Sequence, residues 1–288
     1  MIMDTQTKSV VHKAYPEKDA WSHKNEYGKL LVVAGSAVFT GAPVTVGMAA
    51  MRSGVDNVYF IGPKRAMHCV ANAFPTFVNK ALECDYIGKE NVEQIFDFAE
   101  EMKVTGLVIG PGLWRKEQTR KAILDIIEGF EIPMVVDADA IRAMQADNKL
   151  LSGKTSIITP HSNEFKELTG VEPSMHMEER AKTVRDWAKV LGTTIVLKGH
   201  VDVVSNGEHT ALNKTGNVYM TKGGFGDTLA GICGALISRR KNKLDAYDAA
   251  CAATYINGRA GDIAAKESYE GLLVTDMIHR IPEVIKES

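Results

Sequence analysis

The segment Thr221-Lys222-Gly223-Gly224-Phe225-Gly226-Asp227-Thr228-Leu229-Ala230-Gly231 places three glycines ahead of one aspartate where a helical pattern begins. Leu229, Ile232, Cys233, Leu236 and Ile237 recur at helical spacing, which predicts a helix from Asp227 to Arg239. Glycines let several backbone N–H groups converge on one point. The helix start adds unpaired N–H groups and the positive end of its dipole. Gly223, Gly224, Phe225 and Gly226 therefore read as an anion hole suited to phosphate. A carboxylate beside bound phosphate can take the proton of a hydroxyl as that hydroxyl attacks phosphorus, which makes Asp227 a candidate base. The alternative is an aspartate that only caps the helix.

Five further clusters of small or polar residues follow short apolar runs. Gly35-Ser36-Ala37-Val38-Phe39-Thr40-Gly41-Ala42-Pro43 follows Leu30–Ala34, and Gly110-Pro111-Gly112-Leu113 follows Leu107–Ile109. In the second, glycines allow a ligand close to the backbone. Asp137-Ala138-Asp139-Ala140 follows Met134–Val136, with two carboxylates of which one is read as a cap. Thr159-Pro160-His161-Ser162-Asn163-Glu164 follows Ser156–Ile158, offering a polar ring and a carboxylate able to hold a hydrated cation through water. Lys198-Gly199-His200-Val201-Asp202 follows Thr193–Leu197, a cation and a glycine suited to a nucleotide phosphate.

The elements that must position these clusters alternate between strand and helix. Asn57–Ile61 is a further strand, and Val201–Ser205 follows Thr193–Leu197 too closely for a helix, which predicts a hairpin. Helices are predicted at Pro43–Ser53, Glu117–Gly129, Asn163–Leu168, Met177–Leu191, Asp245–Ala265 and Thr275–Glu287, with Gly170 as a C-cap. This alternation predicts an α/β fold, a mostly parallel sheet covered by helices on both faces, in one domain over residues 1–288. Ligands of such sheets bind at the carboxyl ends of the strands, where all six clusters fall.

Composition sets bounds. The 288 residues are 45% hydrophobic and 24% charged, as expected of a globular chain with a large core. A net charge of -2 gives no reason to expect nucleic acid or an anionic membrane as partner. Cys69, Cys84, Cys233 and Cys251 lack metal-ligand spacing, and Cys233 and Cys251 lie on apolar faces, so buried reduced thiols are expected. The polar first twenty residues and the lack of any long apolar run predict neither signal peptide nor membrane span, and hence a cytoplasmic protein.

The succession of clusters resembles the ribokinase-like superfamily and, within it, the ADP- or ATP-dependent NAD(P)H-hydrate dehydratases, enzymes of nicotinamide-nucleotide repair. The resemblance rests on His23-Lys24-Asn25-Glu26-Tyr27-Gly28-Lys29-Leu30, Ala34-Gly35-Ser36, Gly41-Ala42, Ile109-Gly110-Pro111-Gly112-Leu113, Val136-Asp137-Ala138-Asp139-Ala140, Thr159-Pro160-His161 with Glu164, Lys198-Gly199 and Gly224-Phe225-Gly226-Asp227-Thr228-Leu229-Ala230-Gly231. Leu273-Val274-Thr275-Asp276-Met277-Ile278 with Ile281-Pro282 adds to it, so it spans about residues 20–285. Kinases of the superfamily commonly carry Asn where this chain has His161. Two departures stand out. Gly223-Gly224-Phe225-Gly226 replaces a commoner Gly-Ser/Thr-Gly-Asp form, and His200-Val201-Asp202 stands where a small residue and Thr are frequent.

The resemblance implies a hydro-lyase that restores hydrated NADH or NADPH. ADP, with ATP as the alternative donor, would phosphorylate the ring hydroxyl, and loss of phosphate would regenerate the dihydropyridine. It implies Asp227 as base, Ala42, Gly112, His161 and Asp227 on the hydrated dinucleotide, and Lys198, Gly199, His200, Val201, Asp202 and Gly226 on the nucleotide. It also implies Mg2+ on the phosphates with Glu164 in its outer shell, a homotetramer, and a separate epimerase as partner in the pathway. The competing readings are a vitamin-precursor or sugar kinase on the same fold and a nucleotide sensor. An intact Asp227 in an intact glycine nest speaks against the sensor, which needs no base.

Overall fold

The computed structural model describes residues 4–146 and 149–287. Ten strands form one sheet: β1 (Asp4–Thr5), β2 (Lys29–Val33), β3 (Asn57–Pro63), β4 (Val78–Leu82), β5 (Gly106–Ile109), β6 (Met134–Val136), β7 (Ser156–Ile158), β8 (Thr194–Leu197), β9 (Asp202–Ser205) and β10 (Thr210–Asn213). Their order is β1-β10-β9-β8-β7-β6-β5-β2-β3-β4. From β4 to β8 every pairing is parallel, and the β8–β9 and β9–β10 pairings are antiparallel. The expected hairpin is present, with Ile195 opposite Ser205 and Leu197 opposite Val203.

The central strands are short and buried on both faces, as parallel strands between two helical layers must be. Because side chains alternate along a strand, Leu30 and Val32 of β2 enter one core while Leu31 and Val33 enter the other. The first core is covered by α1 (Ser9–Ala14), α2 (Ala42–Arg52), α3 (Lys64–Ala73), α9 (Phe225–Ile237), α10 (Ala246–Ser268) and α11 (Val274–Lys286). The second is covered by α4 (Val92–Met102), α5 (Glu117–Gly129), α6 (Asp139–Ala143), α7 (Ser162–Thr169) and α8 (Met177–Leu191).

Helix α9 begins at Phe225, two residues before the predicted start, and its apolar surface is no mere stripe. Eleven of its residues are buried, from Phe225 to Ile237. A helix apolar all round belongs inside the molecule. It lies against α2 so closely that a side-chain carbon on Gly231 would collide with the Val46 carbonyl oxygen. Cys233 and Cys251 are buried and unpaired as expected. Strands β1, β4 and β10 and helices α1, α3, α4 and α6 were not foreseen.

Candidate active site

At the start of α9, Gly224 holds φ +99° and stands as N-cap. Thr228 is the first residue of the turn whose N–H meets a helical carbonyl, Gly224 O at 3.0 Å. The N–H groups of Phe225, Gly226 and Asp227 are left for a ligand. Asp227 is the third helical residue and makes no capping hydrogen bond, so the capping alternative fails. Burial in the protein pushes its carboxyl up to about 7, helped by the negative charge of Asp137 and opposed by Lys198. A carboxylate poised near neutral pH is suited to take and return a proton.

Beside it lies a ring of charges drawn from three strand ends. Asp137, only 1% exposed after β6, accepts from Thr159 Oγ1 at 2.7 Å and from Lys198 Nζ at 3.2 Å. Ala138 adopts φ +51°, a region that disfavours side chains, and separates Asp137 from Asp139. Asp139 instead accepts the Trp114 N–H at 2.9 Å. Lys198 Nζ also lies 3.9 Å from Glu164 Oε2. Burial would strip the ammonium of its proton, but Asp137 and Glu164 outweigh burial and hold Lys198 above the usual lysine range. Lys198 is thus anchored between carboxylates, where the sequence suggested a free phosphate ligand.

Glu164 departs further from expectation. It is 3% exposed, and Arg142 Nη1 lies 3.1 Å from its Oε1. Its Oε2 accepts the His161 N–H at 3.0 Å. With His161 it forms a capping box on α7: His161 Nδ1 accepts from the N–H groups of Asn163 at 3.1 Å and Glu164 at 3.2 Å. That geometry puts the proton of the neutral ring on Nε2, 3.3 Å from Glu164 Oε1. Burial, with Lys198 and Arg142 nearby, lowers the His161 pKa against the pull of Glu164, which keeps the ring neutral. Both Glu164 oxygens are engaged, one by Arg142 Nη1 and the other by the His161 N–H. Among the described residues no group of three or more His, Cys, Asp or Glu side chains could hold a metal. The donors do not fit a resident ion.

A cavity of about 630 Å³ opens beside the anion hole. His161, Lys198, Gly199, His200, Asp202, Phe225 and Gly226 line it, together with Thr215, Asn217, Met220, Thr221 and Asn257. Asp202 shapes the Lys198–Val201 turn by accepting from the Gly199 N–H and from Asn213 Nδ2, each at 3.0 Å. The Val201 side chain does not line the cavity and rests instead on the second core. Arg180 donates to the Lys198 carbonyl at 3.1 Å, and Asn257 Nδ2 donates to the Phe225 carbonyl at 3.4 Å.

On the other flank, past β5 and β2, Gly112 meets Ala42: a side-chain carbon on Gly112 would lie 3.2 Å from Ala42 Cβ and 2.8 Å from Phe39 Cβ. The two predicted substrate contacts therefore share one corner. Gly110 has a different purpose from the one expected. With φ +125° its missing side chain makes room for the Asp137 carbonyl rather than for a ligand. The sequence reading missed Arg180, Thr215, Asn217, Met220 and Asn257. They lie in the β10–α9 connection or within α8 and α10, and β10, the strand that leads into that connection, was itself not foreseen.

Comparison with known proteins places the chain in a family. A family model described as NAD(P)H-hydrate dehydratase matches residues 30–283. The bifunctional NAD(P)H-hydrate repair enzyme of Pyrobaculum aerophilum is 36% identical over 92% of this chain and 52% of its own length. The chain thus spans about half the length of several curated relatives it matches. The ADP-dependent (S)-NAD(P)H-hydrate dehydratase of Nitrosopumilus maritimus is 34% identical over 99% of this chain and 98% of its own. The ADP/ATP-dependent NAD(P)H-hydrate dehydratase of Bacillus subtilis, co-crystallized with ATP/Mg2+, superimposes with a TM-score of 0.80 at 28% identity, over 100% of this chain and 99% of that one. The architecture is ribokinase-like. On its sequence, its sheet order and the glycine nest in front of Asp227, the chain belongs to the NAD(P)H-hydrate dehydratase family.

Proposed function

We propose that this chain is a hydro-lyase that repairs hydrated NADH and NADPH at the expense of ADP. The carrying observation is Asp227, uncapped, half-buried and raised to about 7, next to three free N–H groups of α9. Hydroxide leaves a carbon poorly and phosphate leaves it well. Asp227 takes the proton of the ring 6-hydroxyl as its oxygen forms a bond to the β-phosphorus of ADP, and AMP departs with the broken P–O bond. The N–H groups of Phe225, Gly226 and Asp227 stabilise the charge that gathers on the transferring phosphoryl group. The ring nitrogen then expels phosphate from carbon 6, and loss of a proton from carbon 5 restores the double bond.

In this reading the cavity around Lys198–Asp202 takes the nucleotide, and the Ala42–Gly112 corner with His161 takes the hydrated dinucleotide. Mg2+ would come with the nucleotide and neutralise phosphate charge. No helix among the described residues is long and apolar enough to cross a membrane. We further infer a cytoplasmic homotetramer in one domain, working with a separate epimerase. The bifunctional names of relatives about twice as long support a second activity in the same repair.

The test is to incubate the protein with hydrated NADH and ADP and to follow the reduced-nicotinamide absorbance. The expected result is its return, with stoichiometric AMP and phosphate. A stable phosphoester, with no absorbance change, would mark a kinase instead. Run with ATP, the reaction is expected to be slower. An extra phosphate must displace either the adenosine or the substrate hydroxyl, and about 1 Å of misplacement costs roughly 10²-fold.

A further inference from the structure

Asp227 and Lys198 carry opposite charges and belong to the same small site, yet they are not paired. A side-chain carbon on Gly226 would lie 3.3 Å from Lys198 Nζ, so the ammonium rests against the first turn of α9, one residue from Asp227. Its ion pairs go elsewhere, to Asp137 at 3.2 Å and Glu164 at 3.9 Å. Among the described residues Asp227 has no ion pair within 4.0 Å. A lysine stem is flexible enough to reach either carboxylate, so something must decide between them.

Asp137 has the means to decide. It is 1% exposed and is fixed by Thr159 Oγ1 at 2.7 Å, on the same oxygen that receives Lys198. Its backbone is set by two unusual residues. Gly110 at φ +125° leaves room for the Asp137 carbonyl, and Ala138 at φ +51° turns the chain immediately afterwards. Ala138 is held in a region that non-glycine residues rarely adopt, and such strain gathers at functional sites.

We propose that Asp137 is a positioning residue: it holds the Lys198 ammonium away from Asp227 and so keeps that carboxylate unpaired and able to accept a proton. The proposal rests on the reading of Asp227 as the base. Two charged groups face Asp227: Asp137 from the end of β6 and Lys198 from the end of β8. Without Asp137, the ammonium swings onto Asp227. The base is then occupied before substrate arrives, and it loses its proton at lower pH. On this view the second of the two aspartates in Asp137-Ala138-Asp139 has a separate task, holding the Trp114 N–H.

The experiment compares wild type with Asp137→Asn, Lys198→Met and the double variant, by pH–rate profile and by carboxyl carbon NMR titration of Asp227. Asp137→Asn keeps the Thr159 contact and is expected to lower turnover by roughly tenfold or more. Its acidic limb, and the Asp227 titration with it, should move down by about one pH unit or more. Lys198→Met should move the titration above that of wild type. The double variant should recover part of the shift that Asp137→Asn produces. An unmoved Asp227 titration in both single variants, or a loss of rate by the same factor at every pH, overturns the proposal. Should Asp137→Asn melt below the working temperature, Lys198→Met alone decides by the direction of its shift. The titration needs no turnover, so it stands even if the wild-type protein leaves hydrated NADH untouched, a result that would sink the functional reading instead.

Discussion

A proton-accepting carboxylate can be told from a capping one by what an isosteric amide does to it. Asn caps a helix as well as Asp does but accepts no proton at neutral pH. Asp227→Asn is therefore expected to lower turnover by roughly 10²–10⁴-fold while leaving the affinity for ADP near wild type, as read by calorimetry. A variant with wild-type turnover would return Asp227 to a structural role. Its candidacy could be read from sequence because the signal is local: three glycines, a helical pattern and a carboxylate lie within about ten positions. His161 was half legible. Its place after β7 was right, but nothing in the spacing of residues showed that its ring caps α7 through Nδ1. The Asp137–Lys198 pair spans 61 positions and could be seen only once β6 and β8 stood at one edge.

The strand ends are positioned by backbone shape, and Gly110 is the plainest case. An alanine there would have to keep φ +125° and would press its methyl into the Asp137 carbonyl and to 2.9 Å from Ala140 Cβ. Gly170, the C-cap of α7, also has positive φ, at +75°, but nothing lies within 4 Å of an added carbon. Gly170→Ala is expected to cost about 1–2 kcal/mol in urea unfolding, the left-handed penalty alone. Gly110→Ala adds overpacking and should exceed that by about 1–3 kcal/mol. Equal losses would mean that the Asp137 turn yields freely. At this scale the central strands and long helices were legible from periodicity, with β6, β7, α5 and α8 at their predicted bounds. Strand β4, Val78-Asn79-Lys80-Ala81-Leu82, was not. It is a half-exposed edge whose polar residues lack the alternation that betrays a strand.

Across the whole molecule, an unpaired carboxylate drawn half out of water costs stability wherever it must be charged. The Asp227 carboxyl is raised in the folded state from 3.8 to about 7, so the native chain holds this proton more tightly than the unfolded one. Its stabilising contribution is full at acid pH, below the unfolded value, and is lost as pH rises through 7. Asp227→Asn should consequently melt a few degrees above wild type at pH 8, with the gap closing by pH 4. A gap independent of pH, seen by calorimetric scanning, would assign the difference to packing. The enzyme in this reading is least stable where it is most active.

The sheet's change of direction at β8 bears on how such an enzyme can vary. Parallel strands need a helix to carry the chain back, and each such crossover is locked into one of the two cores. After β8 the chain instead turns within Gly199–Val201, and after β10 it runs through the connection that carries Thr215, Asn217, Met220 and Thr221. These turns line the cavity and are anchored mainly by Asp202, Asn213 and Asp262. In the proposed reading the donor's seat is thus a detachable fitting on a rigid frame. Lengthening or reshaping these turns changes which phosphate reaches the glycine nest without moving Asp227, Asp137 or the Ala42–Gly112 corner. On that reading donor preference is a trait of two loops, free to drift while the chemistry stays where the parallel strands hold it.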